Sequence, residues 1–102
     1  MEILQALNYR IACLHEEGNL AESMAVSSAF KVLLTEIFQR FVYTGCQIMG
    51  LYSQVKEGSK WAPLRGKYEF YYQFCTGLNL AGGASEIQRN VIAWTALGLP
   101  RA

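Results

Sequence analysis

The sequence predicts an all-α protein, and three observations carry that expectation. All eight acidic residues are Glu and none is Asp, and proline occurs only at Pro63 and Pro100. Glu is a good helix former, whereas Asp and Pro are not. Apolar residues recur at three- and four-residue intervals along most of the chain, the spacing that builds one apolar face on a helix. The pattern stops at Gly-Asn, Gly-Gly and Gly-x-Pro steps, which are ordinary helix ends. The expected architecture is an antiparallel helical hairpin followed by two shorter helices, with residues 1–102 forming a single helical domain.

The first helix is expected over Glu2 to Glu17. Ile3, Leu7, Ile11 and Leu14 lie on one face, with Leu4 beside them, and Gly18-Asn19 ends it. The second is expected from about Leu20 to Gly50. Met24, Ser27/Ser28, Lys31, Leu34, Ile37/Phe38, Phe41/Val42 and Gly45 keep helical spacing, and no proline interrupts them. A short turn between two sequential helices makes them antiparallel neighbours. Phe30, Val32, Leu33, Leu34, Ile37, Phe38, Phe41, Val42 and Tyr43 surround much of the second helix. A helix apolar nearly all round must be covered on several sides, so further helices, from this chain or another, have to supply the cover.

From Leu51 to Gly66 the chain reads as an ordered surface loop, pinned to the body by Trp61 and Leu64. A third helix is expected over Lys67 to Leu78, with Tyr68, Tyr71, Tyr72, Phe74 and Cys75 as its aromatic face. Gly82-Gly83 breaks the chain. Ser85-Glu86-Ile87-Gln88 then has the form of a capping box, with Ser85 as N-cap and Gln88 at N3. The last helix is expected to run to Leu97, with Gly98 and Pro100 ending it.

Composition narrows the function classes. Nine Lys+Arg against eight Asp+Glu leave a net charge of +1, without the basic excess of a nucleic-acid binder or of a polybasic membrane-surface protein. The longest uncharged stretches, Phe41 to Val55 and Phe70 to Ser85, are too short to span a membrane. The N-terminus lacks a basic segment followed by an apolar run, so no signal peptide is expected and the cytoplasm is the expected compartment. Cys13, Cys46 and Cys75 are an odd, widely spaced set without CxxC, which argues against a disulfide framework and a zinc site. Three reduced, mostly buried thiols are expected. With 52% hydrophobic residues in so short a chain, apolar surface should remain for a partner or an oligomer.

The most informative stretch is Gly82-Gly83-Ala84-Ser85-Glu86-Ile87-Gln88-Arg89. Glycines let a backbone approach a ligand closely, and a helix N-terminus offers unpaired N–H groups and a positive dipole end to a phosphate. Alone, the same pattern is also an ordinary turn. Together with Asn90-Val91-Ile92-Ala93 and the tail Leu97-Gly98-Leu99-Pro100-Arg101, however, it closely resembles the C-terminal end of acyl-CoA dehydrogenases. Cys46-Gln47-Ile48-Met49-Gly50 is similar to the Gln-x-x-Gly-Gly element of that family. The resemblance extends over essentially the whole chain.

The resemblance implies a helical domain that is part of the family's C-terminal four-helix-bundle-like domain. It implies an enzyme that oxidises the Cα–Cβ bond of an acyl-CoA thioester, in which a carboxylate takes the α-proton and the N5 of FAD takes the β-hydride. FAD is implied for the complete enzyme, not for this chain alone. On the resemblance, Gln47, Ile48, Met49 and Gly50 contact the adenosine end of FAD from a neighbouring subunit. Leu51 stands where many members have a second glycine. Ala84, Ser85 and Glu86 correspond to the final FAD-contacting segment, with Ala84 in place of the usual threonine. Gly83 corresponds to a glycine beside the acyl-CoA substrate. Many members carry the catalytic glutamate immediately before it, where this chain has Gly82, which has no proton acceptor. The implied partners are a second copy, as dimer or tetramer, and a catalytic acyl-CoA dehydrogenase subunit. The alternative is a non-catalytic helical dimerisation or interaction module from a truncated gene.

Other candidates have plainer readings. His15, at a helix end, suits the dipole there, and a metal site would need further ligands. Glu16 and Glu17 are adjacent, so their side chains diverge. Glu69 lies among aromatics but is expected at the surface. Tyr68, Tyr71 and Tyr72 could stack on an adenine, although packing is the commoner use of tyrosine. Arg89 suits both a cofactor phosphate and a glutamate partner.

Overall fold

The computed structural model describes residues 2–101, and these are helical with no strand among them. Four α-helices follow in order: α1 (Glu2–Glu16), α2 (Leu20–Met49), α3 (Lys67–Leu78) and α4 (Ser85–Thr95). The all-α expectation holds, and the third helix has the expected bounds. No helix among the described residues is long and apolar enough to cross a membrane.

The described residues fall into two compact units. One comprises the chain through Leu34 together with the chain from Gly83 onward; the other is Thr35–Gly82. The 30-residue α2 contributes its first half to one and its second half to the other.

In the first unit, Glu2 in the first turn and His15 in the last suit the dipole of α1. Its inward stripe is Leu4, Leu7, Ile11 and Leu14, and Leu14 is only 2% exposed. Ile3 lies outside that stripe and is exposed, because Leu4, three residues before Leu7, takes the inward position instead. Gly18 reverses the chain at φ 73°. Arg10 of α1 donates to Glu22 in the first turn of α2 at 2.7 Å, which ties the two helices across the turn as a hairpin. That hydrogen bond also raises the pKa of Arg10. Ser23, Ala25 and Ser28 are buried on α2; such small side chains let a neighbouring element come close. Beyond α4, Gly98 (φ 63°) turns the chain, the Leu99 N–H donates to the Ala93 carbonyl at 3.0 Å, and Arg101 lies over the Trp94 ring.

In the second unit, α2 and α3 pack through aromatic rings. Phe38 meets Tyr71 edge-on at 6.0 Å, and Tyr68 meets Tyr71 at 6.4 Å. Gly45 is buried where a Cβ would overlap the Tyr68 ring, so its missing side chain makes the space that Tyr68 fills. Val42, one turn earlier, is 1% exposed. A neighbouring stripe of the same helix, Ile37, Phe41 and Ile48, remains exposed. This is the apolar surface that composition led us to expect.

Helix α2 stops one residue short of the expected Gly50 because Gly50 adopts φ 57°. The segment from Gly50 to Gly66 contains two short 3-10 turns, Gly50–Gln54 and Pro63–Gly66. Trp61 and Leu64 do not pin it, since they are 61% and 63% exposed. The holding is done by backbone and a small polar group. Ser53 is buried and its hydroxyl donates to the Gly50 carbonyl at 2.7 Å. Gly66 sits so close to the backbone of Lys56 and Glu57 that a Cβ would overlap the Glu57 nitrogen. Leu64 and Arg65 precede it in left-handed conformations, φ 50° and 59°, which is costly for residues with a side chain. Of the three thiols only Cys75 is buried; Cys46 is half-buried and Cys13 exposed. Cys13 lies on α1 outside the inward stripe, which corrects the expectation of mostly buried cysteines.

Candidate functional site

The end of α2 and the turn that follows it form one candidate surface, entirely within the second unit. Gln47 and Gly50 line a cleft of about 590 Å³ together with Tyr43, Cys46, Tyr72 and Gln73. Ile48 points away and is 81% exposed. Met49 borders a separate hollow of about 340 Å³ with Tyr52 and Trp61. Helical geometry explains this division, since successive residues are about a hundred degrees apart around the axis. Of the four residues singled out here, the fold therefore brings two together on one cleft.

The cleft holds no cation and a single carboxylate. Its polar groups are amides and hydroxyls, and its one charged group is Glu69. The Glu69 side chain is 19% exposed, 4.0 Å from the Lys56 ammonium, and accepts a hydrogen bond from Gln73. Thus Glu69 is less exposed than expected. With amides, tyrosine rings and no cation in its lining, the cleft suits a nucleoside better than a phosphate, which calls for Arg or Lys. Gly50 adds an open backbone, with no atom within 4 Å of where a Cβ would stand. Tyr72 faces this cleft, whereas Tyr68 and Tyr71 are engaged in packing.

The second candidate surface is the start of α4. Gly82 and Gly83 both have positive φ, 69° and 96°, and the chain then enters the helix through Ala84. Ser85 is not the N-cap. Ala84 holds the non-helical position (φ −55°, ψ 148°), and its carbonyl accepts the first helical bond, from the Gln88 N–H at 3.0 Å. Ala84 has no side chain with which to cap this end. The capping-box reading fails because the glycine pair leads the chain into the helix at Ala84, which places Ser85 inside it. Helix geometry leaves the N–H groups of Ser85, Glu86 and Ile87 without carbonyl partners in the helix. Such groups suit an anion. Glu86 is exposed in this first turn.

Sequence reasoning missed one contact here. Lys31, half-buried on α2, donates from Nζ to the Gly83 carbonyl at 2.8 Å. The only signal was a cation set among the small and apolar residues of α2. Gln88 reaches back from α4, its Nε2 lying 2.7 Å from where a Gly83 Cβ would be. Arg89 is exposed beside it, and His15 is exposed at the end of α1. Among the described residues, no group of three or more His, Cys, Asp or Glu side chains lies together as metal ligands would.

Residues 1–97 match the family described as acyl-CoA dehydrogenase, C-terminal domain. A curated relative, acyl-CoA dehydrogenase FadE26 of Mycobacterium tuberculosis, is 34% identical over 99% of this chain and 26% of its own length. Among solved structures, the crystal structure of the ChsE4–ChsE5 complex from the same organism contains a chain that is 34% identical with a TM-score of 0.79. It too is matched over 99% of this chain and 26% of that one. The chain therefore spans about a quarter of the length of these relatives.

Proposed function

Because the chain belongs to the acyl-CoA dehydrogenase family through its C-terminal domain, we propose that it serves as a helical C-terminal domain in an FAD-dependent oxidation of an acyl-CoA thioester. In this role it contributes cofactor contacts and subunit assembly. The match over residues 1–97 carries the reading, and the chemistry of the two candidate surfaces agrees with it. The cation-free cleft at Gln47 and Gly50 suits the adenosine end of FAD. The helix-start amides at Ala84, Ser85 and Glu86 suit its more anionic part.

The chain's own residues bind and orient; they do not take the proton. When bound, FAD supplies the acceptor for the hydride that leaves the β-carbon. Gln47 offers amide hydrogen bonds, and Gly50 allows close approach of the backbone. Ile48, which is exposed, and Met49, which borders the separate hollow, complete the cofactor-contacting segment. Gly83 borders the acyl-CoA, and Gly82, where a catalytic glutamate would stand, has nothing to accept the α-proton. The base then lies outside these residues, and the exposed face at Ile37, Phe41 and Ile48 serves assembly in the cytoplasm with a catalytic acyl-CoA dehydrogenase subunit. The same exposed face favours the second reading, a non-catalytic interaction module.

Purifying the tagged chain from source cells with its associated proteins tests the two. Flavin absorbance that bleaches on adding acyl-CoA is expected, and Gln47→Ala should weaken flavin retention several-fold, on the scale of about one hydrogen bond. A flavin-free assembly would move the interaction-module reading ahead.

A further inference from the structure

We propose that Lys31 is a positioning residue for the ligand-facing amides of α4. Its ammonium holds the Gly83 carbonyl and so fixes the peptide plane from which Ala84, Ser85 and Glu86 start. This rests on the reading that the Ala84–Glu86 segment contacts FAD.

Two glycines in succession, at φ 69° and 96°, give a backbone with more accessible conformations than any other pair of residues. A turn that must present amides in a fixed direction needs an external restraint, and Lys31 supplies one from 52 residues away in sequence, at 2.8 Å and partly buried. Gln88 closes the other side, its amide lying where a Gly83 side chain would be. The turn is thus held by a charge on its carbonyl and a side chain against its Cα.

Planarity transmits the restraint. In a trans peptide the C=O and the following N–H point in opposite directions. With the Gly83 carbonyl aimed at Lys31, the Ala84 N–H is directed away from it. A cation beside a helix N-terminus opposes the helix dipole, so what Lys31 contributes here is the hydrogen bond to the Gly83 carbonyl and the direction it gives that peptide.

The test compares wild type, Lys31→Met and Lys31→Arg, each as the assembly purified from source cells, for flavin retained on repeated ultrafiltration, and as the 102-residue chain, for thermal melting. Lys31→Met keeps the aliphatic stem and removes the ammonium. It should lower flavin affinity roughly tenfold, the scale of one lost charge-assisted hydrogen bond, and leave the melting curve within a few degrees of wild type. Lys31→Arg should recover most of the affinity. Flavin retention unchanged in Lys31→Met would overturn the inference and leave the FAD reading standing. Affinity that merely follows melting temperature in all three proteins would overturn it too, since Lys31 would then be structural only. A wild-type assembly without flavin would overturn both readings, and it is recognisable because Gln47→Ala and Lys31→Met then equal wild type.

Discussion

Replacing Gly45 by alanine should destabilise this protein, although the local rule says the opposite. Gly45 lies inside α2, where glycine is worse than alanine by about 1 kcal/mol. Tertiary packing reverses the sign. The new methyl would fall within the Tyr68 ring, and that ring is already fixed edge-on to Tyr71 at 6.4 Å, which in turn meets Phe38 at 6.0 Å. Overpacking of this kind costs about 1–3 kcal/mol. Displacing the ring from Tyr71 adds about 0.5–1.5 kcal/mol. Subtracting the helix gain leaves a net loss of roughly 1–3 kcal/mol, or a fall in Tm of roughly 5–15 °C for a domain of this size. Gly77 is the control. It is helical in α3, with nothing within 4 Å of where a methyl would stand, so Gly77→Ala should gain about 0.5–1 kcal/mol. Thermal melts at one fixed protein concentration, with Gly45→Ala/Tyr68→Ala as the relief variant, decide the matter. A Gly45→Ala protein that melts above wild type, as Gly77→Ala should, would refute the reasoning.

Two further outcomes follow from backbone and burial. Leu64→Gly should stabilise the chain by about 0.5–1 kcal/mol, because it relieves a left-handed φ of 50° at a side chain that is 63% exposed; the urea midpoint should rise, and a fall would mean that Leu64 packs more than its exposure implies. Thiol labelling followed by mass spectrometry should modify Cys13 first, Cys46 more slowly, and Cys75 only when the protein unfolds, in the order of their burial; early loss of the Cys75 thiol would contradict that burial.

Helix existence is legible because it rests on local signals. The three- and four-residue spacing from Ile3 to Leu14 and from Met24 to Gly45, and the breaks at Gly18, Gly66 and Gly82-Gly83, are properties of neighbouring residues. They place α3 at its observed bounds and the other helix ends within one or two residues. Local reasoning is less reliable where conformation at one residue shifts the register. The sequence points to Ser85 as the cap, but Ala84 takes that position after two positive-φ glycines. Trp61 and Leu64 look like anchors because they are large and apolar, yet Ser53 and Gly66 hold that segment through hydrogen bonding and close backbone approach.

By itself, then, the sequence determined that the chain is helical, where its helices break, that apolar surface is left over, and which two segments resemble the dehydrogenase family. Each of these depends on residue type and short-range spacing. Only the tertiary structure decided that Gln47 and Gly50 share a cleft with Tyr72 while Ile48 does not, that Gly45 exists to admit Tyr68, and that Lys31 grips the Gly83 carbonyl. These contacts join residues far apart in the chain, 52 positions in the case of Lys31 and Gly83, and no local propensity encodes such a meeting. They are settled by which side chains the packed helices leave room for.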